Sequence, residues 1–151
     1  MTPDSLPVAP LVVDTNIVSW VFLRSGRYLD FKPFLDRTIA NGQPLLISFA
    51  TLGELRAWTR KTNWDATRVA QLELALKNYV VLPYDEEVTR QYGPLQARLG
   101  DQLKKFGRND MWTAACALSH PELPAILTDD IADFQKIQVE APALRLAHPD
   151  L

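Results

Sequence analysis

The sequence predicts an α/β fold, a three-layer α/β/α sandwich built on a central parallel sheet. Four short, turn-bounded apolar runs read as strands buried on both faces. The segments between them carry apolar residues at helical spacing. Alternation of the two kinds of segment favours parallel strands joined by crossover helices. With 151 residues, 47% hydrophobic and 23% charged, the chain suits one domain over 1–151, in which 1–9 form a loose, Pro-containing N-terminal segment.

In chain order, PLVVD (10–14) is the first strand, followed by helices over 16–24 and 30–40. PLLIS (44–48) is the second, followed by helices over 51–61 and 65–77, where Val69, Leu72 and Leu76 share a face. YVVLP (79–83) is the third, and the helix over 86–103 lines up Tyr92, Leu95, Leu99 and Leu103. The apolar NDMWTAACAL predicts a helix over 109–118 packed beside the sheet, and PAILT (124–128) is the fourth strand. ALRLA (143–147) is a weaker fifth.

Composition narrows the function classes. No apolar run approaches the roughly 20 residues of a membrane span, and MTPDSLPVAP lacks the basic and apolar regions of a signal peptide. A cytoplasmic protein without a membrane partner is expected. The single cysteine, Cys116, excludes an internal disulfide and a Cys-cluster zinc site, and its AACAL setting suits an inert core thiol. A formal charge of −2 gives no broad basic footprint for nucleic acid. There is no P-loop, no G-x-G-x-x-G after the first strand and no G-x-S-x-G elbow. His120 and His148 each precede a proline, which suggests surface loops rather than catalysis.

Ligands of open α/β sheets bind beyond the carboxyl ends of the strands. Three of the four strong strands deliver an acid there: Asp14 after the first, Glu54 after the second, and Asp129 with Asp130 after the fourth. Asp110 opens the apolar helix of NDMWTAACAL. Each has a plain structural role open to it. Asp14 with Thr15 suits a helix cap, Thr51 to Glu54 a capping box, Asn109-Asp110 an N-cap, and Asp129-Asp130 a turn. Their conjunction is less easily explained that way. Three or four carboxylates converging in one cleft cannot all stay ionised without compensation. Mg²⁺ or Mn²⁺, hard cations that prefer oxygen ligands and combine carboxylates with phosphate oxygens, would supply it.

LVVDTNIV, SFATLGEL, VVLPYDEEV, GRNDMWTAACAL and ILTDDIADF, in this order and at this spacing over about 10–148, resemble PIN-domain ribonucleases, in particular VapC-type toxins of toxin-antitoxin pairs. The resemblance implies a metal-dependent endoribonuclease that hydrolyses RNA phosphodiester bonds, acts on tRNA or rRNA, forms a homodimer and is restrained by a VapB-type antitoxin. It also implies Asp14, Glu54, Asp110 and Asp130 as the catalytic and metal-ligating acids. The acid two places after Thr128 selects Asp130 over Asp129, which is left an assisting or turn-holding role. Thr15, Asn16 and Thr128 match supporting positions. Asp133 and Phe134 read as a turn acid and a packing aromatic.

Setting aside the four site acids, each −1, turns the formal charge of −2 into +2. Arg56 and Arg60, one helical turn apart, and Lys104, Lys105 and Arg108, in an expected loop before Asp110, are candidate RNA contacts. Of the tryptophans, Trp112 reads as core, while Trp20 and Trp58 are open to a partner protein. Two other function classes fit part of the pattern. One is a PIN-like binding module whose acids only cap and turn. The other is an α/β phosphatase or phosphotransferase using Asp14 as nucleophile, which the absence of a D-x-D pattern disfavours.

Overall fold

The computed structural model of the chain describes residues 1–103 and 107–151. Five strands, β1 (Leu11–Val13), β2 (Leu45–Ser48), β3 (Tyr79–Leu82), β4 (Ala125–Leu127) and β5 (Leu146–Ala147), form one parallel sheet in the order β3-β2-β1-β4-β5. Leu11 of the central strand stands opposite both Leu45 and Ala125. Helices α1 (Thr15–Leu23), α2 (Tyr28–Ala40), α3 (Phe49–Lys61), α4 (Ala66–Leu76), α5 (Glu86–Leu99), α6 (Gly107–Ser119) and α7 (Ile131–Glu140) complete the described elements.

The period of two along each strand divides the core. Leu11, Val13, Leu45, Ile47, Ala125 and Leu127 face one layer with Ile17, Phe31, Phe34, Leu55 and Leu72 of α1 to α4. Val12, Leu46 and Ile126 face the other, with Leu95, Met111, Ala114, Phe134 and Ile137 of α5 to α7. The expected three-layer sandwich is therefore observed, and each fully buried Leu, Ile or Phe contributes about 1.5–3 kcal/mol to holding it. Met1 and Leu6 are partly buried against the first of these layers. Trp20 also packs there; Gly26, at φ +57°, lies so close that an added Cβ would come within 2.5 Å of the indole.

The sheet departs from expectation at one edge. β3 reads as a buried strand in the sequence, yet Val80 and Val81 are 54% and 38% exposed, because β3 is the terminal strand and the helix after it, α5, packs on α6 and α7. Helix α7 is absent from the sequence reading; its buried face consists of only Asp133, Phe134 and Ile137. Helix α3 begins at Phe49 with Ser48 as cap, its hydroxyl accepting the Thr51 N–H at 3.1 Å, so Thr51 and Glu54 form no capping box. Helix α6 already begins at Gly107, which places Asp110 in its first turn rather than at the cap.

Beyond β1 the chain turns first toward β2 and β3 and later returns to β4 on the other side. This reversal opens a crevice at the carboxyl ends of β1 and β4, the place where such sheets bind ligands.

Candidate active site

Asp14 ends β1 and caps α1, and it is only 6% exposed. Its Oδ1 accepts the Thr15 N–H at 2.9 Å, and its Oδ2 accepts the Thr128 hydroxyl at 2.8 Å. The capping role and a place in the acid cluster coexist in one side chain. Thr128 Oγ1 in turn accepts the Asp130 backbone N–H at 2.9 Å, which leaves the hydroxyl proton for Asp14. One hydroxyl thus ties the ends of β1 and β4.

Glu54 reaches the site from the second turn of α3. Its Oε1 accepts the Thr15 hydroxyl at 2.8 Å, and Thr15 Oγ1 also lies 3.1 Å from Thr51 Oγ1. Beneath them Ser48 Oγ and Thr113 Oγ1, both fully buried, are 2.8 Å apart. Thr113 stands one turn beyond Asp110 on α6. A run of hydroxyls therefore joins the helices that carry Glu54 and Asp110 to the end of β2.

A fifth acid, Asp133, joins the four that the sequence singles out. Asp110, Asp130 and Asp133 each bring a carboxylate oxygen within 4.8 Å of the other two. Asp133, which reads as a turn acid in the sequence, is 1% exposed in the first turn of α7. The D-x-x-D spacing of Asp130 and Asp133 is the signal that recognising α7 as a helix would have supplied, because residues three apart share a face. Asp129 points elsewhere, with Oδ1 3.6 Å from Arg27 Nη1 and 3.9 Å from His148 Nε2.

Burial and crowding hold the Asp14 and Asp110 carboxyls back from ionisation. Burial pushes Asp14 up to about 6, opposed by the hydrogen bonds from Thr128 and Thr15 and reinforced by the charges of Glu54 and Asp130. Asp110 is pushed further, well above the carboxylate range, by burial, by the charges of Asp14, Asp130 and Asp133, and by a hydrogen bond with Asp130. The donors are all carboxylate oxygens, converging and partly desolvated. Such a set fits a hard divalent cation, whose charge removes the mutual repulsion.

Other expected residues fall outside the cluster. Asn16 is exposed in the first turn of α1. Arg56 is held by Glu73 of α4 through bonds of 3.0 and 3.1 Å, while Arg60 is exposed on the same helix. Lys104 and Lys105 lie outside the described residues, as does the side chain of Arg108, whose backbone belongs to α6 rather than to a loop. His148 is not a surface residue: it is 5% exposed, with its ring 5.5 Å from that of Phe31 and its Nδ1 accepting the Asp150 N–H at 3.0 Å. Trp112 is half-buried, stacked on Tyr92 at 3.5 Å.

Of two surface cavities, only one adjoins the cluster. The larger, 760 Å³, lies at the opposite ends of the strands, between α2 and the starts of β2 and β3, and shares no residue with the acids. The smaller, 540 Å³, adjoins the cluster through Glu54.

Comparison with known proteins points the same way. The family model of the PIN domain matches residues 11–139. The chain is similar to ribonuclease VapC2 of Haemophilus influenzae, with 28% identity over 126 residues covering 83% of this chain and 90% of the relative. It is 30% identical over 128 residues to ribonuclease VapC1 of the same species, strain R2866, with the same coverage of both chains. Among solved structures, VapBC-1 of nontypeable Haemophilus influenzae superposes with a TM-score of 0.74 at 25% identity, covering 94% of this chain and 99% of that one. VapBC2 of Rickettsia felis, bound to a promoter DNA fragment, shares the fold with a TM-score of 0.71 at 22% identity, covering 92% of this chain and 98% of that one.

Proposed function

Because the chain belongs to the PIN-domain family, we propose that it is a metal-dependent endoribonuclease, the toxin of a VapBC-type pair. The observation that carries this is the convergence of Asp14, Glu54, Asp110, Asp130 and Asp133 from three strand ends and α6 onto one crevice. A module whose acids serve only as caps would not need it. Among the four acids first singled out, Asp14 alone caps a helix through its side chain.

Asp110, Asp130 and Asp133 would hold Mg²⁺ or Mn²⁺, with Asp14 beside them on the β1 side. When bound, the cation lowers the pKa of a coordinated water and neutralises charge on the scissile phosphate. Thr128 keeps the Asp14 carboxylate oriented, and Thr15 does the same for Glu54, so neither acid must reorganise as the substrate arrives. Glu54, which also lines the neighbouring cavity, would orient or deprotonate the attacking water. The substrate in this reading is structured RNA such as tRNA or rRNA, and Arg60, Lys104, Lys105 and Arg108 are the cations proposed for its phosphates, with Arg56 available only by leaving Glu73. A VapB-type antitoxin and a second copy of this chain are the proposed protein partners.

The test is to incubate the purified chain, free of partner, with total RNA in Mg²⁺ or Mn²⁺. Cleavage should vanish with EDTA and with Asp14→Ala or Asp110→Ala. Cleavage that survived chelation or both substitutions would overturn the mechanism.

A further inference from the structure

We propose that the 540 Å³ cavity between α3 and α6 is a base pocket, which takes one unpaired nucleobase of the RNA adjacent to the scissile phosphate. This rests on the ribonuclease reading above, whose site it shares through Glu54.

The pocket lies within the roughly 300–1,000 Å³ usual for sites that enclose a small planar ligand. Phe49, where α3 begins, and Trp112, on α6, stand with ring centroids 5.4 Å apart at 66° and supply its aromatic wall. Tyr92 stacks on the Trp112 indole at 3.5 Å and 4°, which fixes the plane of that ring before any ligand arrives. The facing side of α3 carries Ala50, Gly53 and Ala57, residues too small to fill the space. Asn109 adds a carboxamide able both to donate to and to accept from a base edge. Lys61, at the far end, places a cation where the next phosphate would pass.

Position and chemistry select the occupant. Asn109 immediately precedes Asp110, and Glu54 belongs to both pocket and cluster, so a group held here is covalently close to whatever the acids act on. An apolar side chain from a protein partner would satisfy the rings but offer no hydrogen bond to the Asn109 amide at the pocket edge. An unpaired base meets the rings with its face and the amide with its edge, as in single-stranded RNA recognition.

Gly53 offers a test that spares the catalytic acids. An added Cβ at this exposed helical position meets nothing within 4 Å, so Gly53→Leu should fold and project into the pocket. The substrates are short single-stranded RNA oligonucleotides cleaved by the wild-type chain, each remade with one abasic ribose at successive positions around the scissile bond. One abasic position should lower wild-type kcat/KM on the order of ten-fold, mainly through KM, since stacking a single base contributes that much. Gly53→Leu should already show the loss with the unmodified oligonucleotide and no further loss at that abasic position. Abasic penalties that are absent, or that persist unchanged in Gly53→Leu, overturn the pocket while leaving the ribonuclease reading intact. Should Gly53→Leu instead alter the solution mass with those penalties unchanged, the face binds a second copy and the proposal fails. A wild-type chain that cleaves no RNA with either metal overturns both.

Discussion

Thr128 donates its hydroxyl to Asp14 Oδ2 across 2.8 Å while accepting the backbone N–H of Asp130, so a single side chain sets the spacing between two acids that are 116 residues apart in sequence. Thr128→Val keeps the shape and removes the bond. Metal affinity should fall about 10- to 100-fold, the usual cost of losing a group that orients a ligand. Titration calorimetry with Mn²⁺ reads this directly, and unchanged affinity would show that the hydroxyl is only a turn element.

Asp129 and Asp133 separate in the same assay. Asp133→Asn should weaken Mn²⁺ binding, because its carboxylate is buried among those of Asp110 and Asp130. Asp129→Asn should have little effect, because its carboxylate faces Arg27 and His148. The reverse ranking would move the centre of the site toward β5.

Without metal, stability should fall as pH rises. The Asp14 carboxyl titrates at about 6 in the folded chain against 3.8 unfolded, so the native state binds its proton more tightly. The stabilisation is complete below about pH 4 and disappears as pH climbs through 6, a loss on the order of 2–3 kcal/mol. Asp110, raised further, continues the decline above that. Thermal melts in EDTA between pH 5 and pH 8 should show a falling Tm, and saturating Mn²⁺ should restore it at the alkaline end. A Tm that rose with pH in EDTA would contradict the burial of these acids.

The buried Ser48–Thr113 pair links β2 to α6 beneath the acids. Ser48→Ala or Thr113→Val alone leaves a buried hydroxyl without this partner and should cost about 1–3 kcal/mol, whereas the double substitution should cost less than the sum. Urea denaturation of the four chains supplies the cycle. Strict additivity would mean that the two hydroxyls are energetically independent.

Arg56 and Arg60 should differ in RNA binding. Glu73 already neutralises Arg56, so Arg60→Ala should reduce the salt dependence of RNA affinity by nearly one phosphate contact while Arg56→Ala changes it less. Filter binding at several salt concentrations distinguishes them; equal slopes for wild type and Arg60→Ala would remove Arg60 from the interface.

Strands and acids were legible in the sequence because their signals are local. An unbroken apolar run between turn residues marks a strand buried on both faces, and the residue that follows it must lie at the carboxyl edge of a parallel sheet. That logic places Asp14 and the Asp129–Asp130 pair without knowledge of any contact, while the choice of Asp130 within the pair comes from the family resemblance. It fails where the partner is distant. Val80 and Val81 look like central-strand residues until the strand order puts β3 at the edge. Ser48 rather than Thr51 caps α3, because the chain leaves β2 directly into the helix.

The sequence by itself determined the three-layer class, the four principal strands and the acids that follow them, since each depends on periodicity over a few residues. Only the tertiary structure decided that Asp133 joins the cluster, that Asp129 turns toward Arg27 and His148, and that Phe49 and Trp112 share one pocket. These depend on which strands become neighbours and how helices cross them, and that choice is made by packing over the whole core rather than by any local pattern.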